Sequence, residues 1–383
     1  MASIFIDNYG CTANYDNGHI IAGMLIECGH EVVQDMIDAD VVIINSCAVK
    51  NVTVNKIFYQ IKKVKEFSDK KLIITGCMSV SEKEKLNKYL GEGVALVSTQ
   101  NITHIPEVVE KILKNEQVVL INKRKEIKLG LPKLNPDNKI ASIQISEGCL
   151  SYCGFCSTKL AKGNLVSYPK EQIVREVEKY VKGGYKRINL TSTDSACYGF
   201  DLGYNLVDLL KEIIQIAGEF QVRIGMGNPK HTIKYFDSLL EVMKNSKIMK
   251  FIHLPLQSGS NKVLDEMKRG HKVEDFIYMV ETLKKEIPGI TISTDIIVGY
   301  PTETEEDFLK TVEVVERLNF EVMNLSKFAS RTGTYASKLK QLPSQLIKDR
   351  SVRLSLIYKN LKKNKINETI FIEIPKGLPI IQN

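Results

Sequence analysis

Between residues 3 and 117, short apolar runs alternate with amphipathic stretches of helical period. This pattern places strands at 4–7, 32–34, 41–45, 72–75 and 94–98, and helices near 16–28, 52–67, 81–90 and 106–114. Such alternation predicts a doubly wound α/β domain, a parallel sheet covered by helices on both faces. From 123 to 138 the pattern breaks into a Lys-Arg-Lys-Glu run with Gly130, Pro132 and Pro136, which reads as a solvated tether. From Lys139 six strand–helix cycles follow, with strands at 141–145, 187–190, 222–226, 251–256, 290–298 and 322–328. Helices are expected to begin near Pro169, Asn205, Thr232 and Thr304, with another within 261–273. Six units fall short of the eight that close a barrel, so a curved partial (β/α)6 barrel is predicted. A basic helix is expected over 345–365 and a last strand over 369–374. The domain boundaries that result are 1–122, a linker at 123–138, 139–342, and a tail at 343–383.

With 383 residues, 43% of them apolar, the chain is long enough for two or three domains with substantial cores. No apolar run approaches the roughly 18 residues of a membrane span. The start, Met1-Ala2-Ser3-Ile4-Phe5-Ile6-Asp7, reaches an acid before a signal-peptide core forms, so a cytoplasmic protein without a membrane partner is expected. The net charge of +8 is compatible with a polyanionic partner but does not by itself demonstrate one. Eight cysteines in such a chain point to metal binding or catalysis rather than to a disulfide framework.

The cysteines carry the strongest signal. Cys149, Cys153 and Cys156 follow the first strand of the second domain at Cys-x3-Cys-x2-Cys spacing, in the run Glu147-Gly148-Cys149-Leu150-Ser151-Tyr152-Cys153-Gly154-Phe155-Cys156. A loop this short brings three thiolates to one point, enough for three corners of a cubane iron–sulfur cluster, and leaves the fourth iron open to another ligand. A three-cysteine zinc knuckle is the competing reading. The next candidate ligands, Cys197 and His231, stand too far along the chain for a compact knuckle. In the first domain, Cys11, Cys47 and Cys77 each follow the carboxyl end of a different strand, the edge where ligands gather in open α/β sheets. They form a second three-thiolate set, against the alternative of three independent core cysteines. Cys28, before Gly29 and His30, reads as a buried packing residue.

Other loops at the barrel's carboxyl edge carry polar candidates. Asp194 can accept from a hydroxyl or amino group, Arg223 can clamp a carboxylate, and Gln257 can meet a base edge. Gly225 and Gly227 would let backbone approach a ligand closely. The competing readings are helix or turn caps for Asp194 and Asp295, a structural ion pair for Arg223 and a loop strut for Gln257.

The Cys149 loop, with Phe155 before its last cysteine, resembles the signature of radical S-adenosylmethionine (SAM) enzymes. Over roughly residues 3 to 340 the chain resembles the methylthiotransferases of that superfamily. The resemblance rests on Asn8-Tyr9-Gly10-Cys11, Asn45-Ser46-Cys47, Thr75-Gly76-Cys77-Met78, Leu254-Pro255-Leu256-Gln257-Ser258-Gly259-Ser260 and Asp295-Ile296-Ile297-Val298-Gly299-Tyr300-Pro301. The run from Lys159 through Lys162-Gly163-Asn164 to Tyr168-Pro169 is similar to the archaeal and eukaryotic branch that modifies N6-threonylcarbamoyladenosine (t6A) at position 37 of tRNA.

The resemblance implies a radical SAM barrel behind the first domain and two 4Fe–4S clusters, one on Cys11, Cys47 and Cys77 and one on Cys149, Cys153 and Cys156. It also implies SAM as cofactor, with Phe155, Asp194, Arg223 and Gln257 as candidate contacts. Six catalytic cysteines, a tRNA anticodon stem-loop as partner, an electron donor of flavodoxin or ferredoxin type and an unidentified sulfur donor complete it. Adenine C2–H would become C2–SCH3. Other targets within the family are isopentenylated adenosine and a ribosomal-protein aspartate; a non-catalytic Fe–S RNA-binding protein is the reading from another class. Family members continue into a β-barrel RNA-binding module called TRAM, where this chain has only a short basic tail.

Overall fold

The computed structural model describes residues 1–49, 51–134 and 139–363. The strand expected over 369–374 and the end of the basic helix at Lys365 lie outside the described residues.

The first sheet contains β1 (Ser3–Asn8), β2 (Glu31–Val33), β3 (Val41–Ser46), β4 (Lys71–Gly76), β5 (Val94–Val97) and β6 (Val118–Leu120). All pairs are parallel, in the order β2-β1-β3-β4-β5-β6. The two-residue alternation of a strand sorts the core into two faces. Val41, Ile43, Ile73, Ala95 and Val97 pack with Ile20, Ile21 and Leu25 on one side. Val42, Ile44, Leu72, Ile74 and Leu96 pack with Ile57, Ile61 and Val64 on the other. Both faces are therefore covered, as the continuous apolar runs predict. Two local expectations differ from the structure. β6 is an additional edge strand, and the helix expected over 81–90 is three short pieces, Met78–Ser81, Lys83–Leu86 and Asn87–Tyr89. In the last two pieces only Leu86 is buried, too little apolar surface to hold a continuous helix.

The barrel contains β7 (Ile140–Gln144), a two-residue antiparallel pair β8 (Ser146–Glu147) and β9 (Val166–Ser167), then β10 (Arg187–Thr191), β11 (Gln221–Ile224), β12 (Phe251–His253), β13 (Thr291–Val298) and β14 (Val322–Lys327). Two parallel trios, β7-β10-β11 and β12-β13-β14, meet where Met249 N donates to Val222 O (2.9 Å) and Gly227 N to His253 O (3.0 Å). Six strands thus form one curved wall, the predicted partial barrel. One core, from Ala141 to Leu318, fills the space between this wall and its helices.

The segment expected to be a solvated tether is part of the packed structure from 128 to 134. The Lys128 side chain is 1% exposed, and its Nζ donates to Thr99 O (2.7 Å) and Glu147 Oε2 (3.0 Å), with Asn17 Oδ1 at 3.3 Å. Lys133 Nζ pairs with Asp16 (2.9 Å) and reaches Ser142 O (3.2 Å). Gln144 Nε2 reaches Asp16 (3.1 Å) and Asn17 (2.7 Å) across the same seam. Two of the linker's basic residues, Lys128 and Lys133, are thus buried cations that join the sheet to the barrel, while Lys123, Arg124 and Lys125 are exposed.

The basic helix Ser344–Lys363 is likewise docked. Leu354 is fully buried against the barrel core, Ile357 and Leu361 pack beside it, and Arg350 pairs with buried Glu303 (2.7 Å). Arg353 pairs with Glu305. Arg350 is thereby buried and Arg353 is paired at the surface, while Lys348, Lys359 and Lys363 stay exposed.

Replacing Glu147 with alanine strands two buried ammonium groups, Lys128 and Lys162. The expected cost is about 3–5 kcal/mol, read as a lower urea midpoint. The double substitution Lys128→Met/Glu147→Leu removes both partners of the shorter pair and should recover part of that loss.

Candidate active site and metal centres

The Cys149 loop is gripped from both sides. Its entry is fixed by the β8–β9 pair and by Gly148, whose φ of +73° is left-handed and whose added Cβ would sit 1.9 Å from Asn164 O. Cys149 N donates to Gly163 O (3.3 Å), Gly154 N to Met267 O (2.9 Å) and Ala336 N to Gly154 O (2.8 Å). Phe155 packs against the small cluster of Val263, Met267, Tyr300 and Phe328. Burial raises the Cys156 thiol, and neighbouring Cys153 and Cys149 add to the effect. Arg269 Nη1 lies 3.3 Å from Cys153 Sγ.

Of the two residues that their distance along the chain had set aside, the fold brings Cys197 to Cys149 and His231 to Asp194 and Ser151. Cys149 Sγ, an Asp194 carboxylate oxygen and Cys197 Sγ lie within 4.8 Å of one another, and His231 Nε2 is 3.9 Å from Asp194 Oδ2. A hydrogen bond from the Cys197 thiol lowers the Cys149 thiol and raises Cys197. Asp194 performs two tasks. Its Oδ1 caps the backbone N–H groups of Ala196 (3.1 Å) and Asn228 (2.9 Å), and its Oδ2 faces Cys149 Sγ at 3.6 Å.

Arg223 lies 4.5 Å from the Phe251 ring centroid, and burial lowers its pKa to about 10 with Arg187 adding to the effect. Among the described residues no carboxylate pairs with it, so the structural ion pair is not what holds it. Gln257 has a φ of +75°, a strain of about 1–3 kcal/mol in a residue with a side chain. Its backbone bridges to β13 through Asp295 O (2.8 Å) and Ile297 N (2.9 Å), while its Oε1 is buried without a partner. Asp295 is a strut: burial opposes its charge, but His253 Nε2 close by (3.1 Å) and a hydrogen bond from Asn324 (2.9 Å) outweigh that and lower its pKa. The glycines after β11 approach protein rather than a ligand, since a Cβ on Gly225 would meet Ser195 Oγ at 2.5 Å.

In the first domain Cys11, Cys47 and Cys77 leave the ends of β1, β3 and β4, with Cys11 and Cys47 flanking the point where strand order reverses. Buried Asn14 ties the first turn down, donating to Tyr9 O (2.5 Å), Asn45 O and Ser46 O (both 3.3 Å). Gly10 (φ +115°) is required here, because a Cβ would lie 2.9 Å from Cys47 Sγ. Cys47 and Cys77 are buried and Cys11 is exposed; Cys28, expected to be buried, is exposed too, because it caps the end of the helix Thr12–Glu27. Burial pushes the Cys77 thiol up to about 12, with Lys162 opposing, and raises Cys47 in the same way.

All three thiols act electrostatically on Lys162, whose side chain is 3% exposed and stands 3.9 Å from Glu147 Oε1. Lys162 ends the helix Ser157–Lys162 that Cys156 begins. That helix docks on the first domain through Ser157 Oγ to Ala48 O (3.3 Å) and Gln100 Nε2 to Lys162 O (2.9 Å). Arg331, after β14, donates to Val49 O (2.6 Å) beside Cys47. Three convergent thiols beside a buried cation fit a thiolate-held anionic cluster. Sequence reasoning had given no role to Lys128, Lys162, Arg269 or Arg331, and only the breaker-rich run around Lys128 had marked that stretch at all, as linker.

A six-stranded parallel half-barrel with three clustered cysteines at its carboxyl edge defines a radical SAM enzyme, and residues 143–315 match the model described as Radical SAM superfamily. Residues 3–98 match one described as Uncharacterized protein family UPF0004. The fold is similar to the radical SAM methyltransferase TsrM from Kitasatospora setae, solved with cobalamin and a 4Fe-4S cluster bound. The TM-score is 0.64 at 14% identity, over 87% of this chain and 76% of that one. The chain is also 39% identical to a probable threonylcarbamoyladenosine tRNA methylthiotransferase of Pyrococcus horikoshii, over 98% of this chain and 90% of that one. It is 37% identical to the Homo sapiens threonylcarbamoyladenosine tRNA methylthiotransferase, over 94% of this chain and 62% of that protein. The chain belongs to the threonylcarbamoyladenosine tRNA methylthiotransferase family.

In metal-free protein, iodoacetamide should modify Cys11 well before Cys47 and Cys77, because Cys11 is exposed and the other two are buried with raised thiol pKa values. Peptide mass mapping reads the order, and iron reconstitution should then protect Cys11.

Proposed function

We propose that this protein methylthiolates t6A at position 37 of tRNA, converting adenine C2–H to C2–SCH3. The observation that carries this reading, in a chain of this family, is that the helix Ser157–Lys162 starts at one cysteine set and ends in a buried cation beside the other. When bound, a cluster on Cys149, Cys153 and Cys156 with SAM, and a second on Cys11, Cys47 and Cys77, supply the radical and sulfur chemistry that an adenine C2, neither acidic nor electrophilic, requires.

The chain's own residues bind and orient. Arg223, a guanidinium without a carboxylate partner among the described residues, is suited to an anionic group of SAM. The strained turn and unpartnered Oε1 of Gln257 mark it for a ligand donor such as a nucleobase amino group. Asp194, through the oxygen that its caps leave free, is placed to accept from the amino group of SAM. Lys162 offsets negative charge at the first-domain thiols. Tyr152, 65% exposed with Lys159 Nζ 4.0 Å from its ring centroid, offers a stacking surface beside the Cys149 loop for an unpaired anticodon-loop base. Lys348, Lys359 and Lys363 can attract the RNA backbone. Among the described residues no helix is long and apolar enough to cross a membrane, which accords with a cytoplasmic tRNA substrate. The electron donor belongs to the flavodoxin or ferredoxin class. Isopentenylated adenosine and ribosomal aspartate have no such support, since the relatives named above are threonylcarbamoyladenosine enzymes.

Deleting the gene should abolish 2-methylthio-t6A in nucleoside mass spectra of tRNA while t6A accumulates; an unchanged level overturns the reading. Anaerobically reconstituted protein should carry about eight irons per chain, and Cys11→Ala should carry about four. About four in the unaltered chain would remove the first-domain cluster.

A further inference from the structure

Arg269 is 5% exposed and permanently charged, yet among the described residues it forms no ion pair. Its Nη2 donates to Pro255 O (3.0 Å), its Nη1 points to Cys153 Sγ (3.3 Å), and its Nε is buried without a partner. The segment that carries it is registered to the cysteine loop. Met267 O accepts from Gly154 N, the residue after Cys153, and Arg269 N closes onto Leu264 O (2.9 Å) behind a left-handed Lys268 (φ +56°). The Arg269 charge helps to lower the Asp295 carboxyl without pairing with it. A buried guanidinium with no directly paired carboxylate is costly, and the sulfur it points to belongs to a residue assigned to an anionic cluster. The neighbouring His271 adds no second cation, since burial lowers its pKa to about 3 with Arg269 adding to the effect, and it is neutral.

We infer that Arg269 is a positioning residue whose guanidinium hydrogen-bonds the Cys153 thiolate of the bound cluster, balances its charge and raises its reduction potential. Hydrogen bonds to cluster sulfurs and nearby positive charge stabilise the more negative, reduced state, so their removal makes reduction harder. The inference rests on the radical SAM assignment of Cys149, Cys153 and Cys156 and assigns this residue to the potential of that centre.

The test is a potentiometric EPR titration of full-length protein carrying Cys11→Ala, Cys47→Ala and Cys77→Ala, so that one cluster is read. Arg269→Met should keep about four irons per chain. Its reduced fraction at fixed poise should fall about tenfold, a midpoint about 59 mV more negative for a one-electron couple. Arg269→Lys, which keeps the charge and one donor, should recover part of the shift.

Loaded protein with an unchanged midpoint overturns the inference. An unchanged midpoint with weakened SAM binding does so too, by assigning the guanidinium to SAM instead. Should Arg269→Met not hold a cluster, the unaltered arginine in protein labelled with 15N-arginine decides the matter: coupling of guanidinium nitrogen to the reduced cluster in ENDOR spectra is expected, and its absence overturns the inference. Failure of the radical SAM reading itself would look different, with no iron retained at Cys149, Cys153 and Cys156 before any change at Arg269.

Discussion

A single buried carboxylate, Glu147, sets the geometry of the molecule. It lies two residues before Cys149, is 4% exposed, and has one ammonium group at 3.0 Å from Lys128 and another at 3.9 Å from Lys162. Lys128 belongs to the segment between the domains and also binds Thr99 O, with Asn17 close by, both in the first domain. Lys162 is the far end of the helix that Cys156 begins. The charges that neutralise Glu147 are therefore the ones that tie the barrel's cysteine loop to the first sheet. A purely apolar seam could be as stable, but it would tolerate sliding; displacing this one strands buried charges on both sides. The two cysteine sets keep their relation because their neighbours cannot be paired in another register.

The two sets are built by different means. Cys149, Cys153 and Cys156 come from one loop, so chain connectivity alone keeps them close. Cys11, Cys47 and Cys77 leave the ends of three neighbouring parallel strands, β1, β3 and β4, at the edge where strand order reverses between β1 and β3. Gly10 lets the first turn reach Cys47, and Asn14 satisfies three carbonyls there. Two of these thiols are held above their ordinary pKa by burial, so they stay protonated without metal and must release their protons to ligate it.

Burial of charge recurs at the other end of the barrel. Arg350 carries the last described helix onto Glu303, whose Oε2 also accepts from Gly299 N (2.7 Å), in the loop that follows β13. The helix is thereby attached to a loop at the carboxyl edge of the barrel, where the cysteines also open, and its exposed lysines are carried on a packed element.

The sequence by itself determined the order of elements, the doubly wound sheet, the six-unit barrel and the two cysteine sets. Two-residue alternation, helical periodicity and short cysteine spacing are local properties, written in neighbouring residues. It also singled out Gln257 and Arg223 by position in loops and strands. Only the tertiary structure decided which charges are buried. Lys128 and Lys133 look like a solvated tether, Arg350 like one more charge of a basic helix, and Arg269 like an ordinary surface residue, because burial depends on what packs above a residue. Cys197 reaches Cys149, and His231 reaches Asp194, for the same reason, since distance along a chain is no measure of distance across a barrel whose strands all open on one edge.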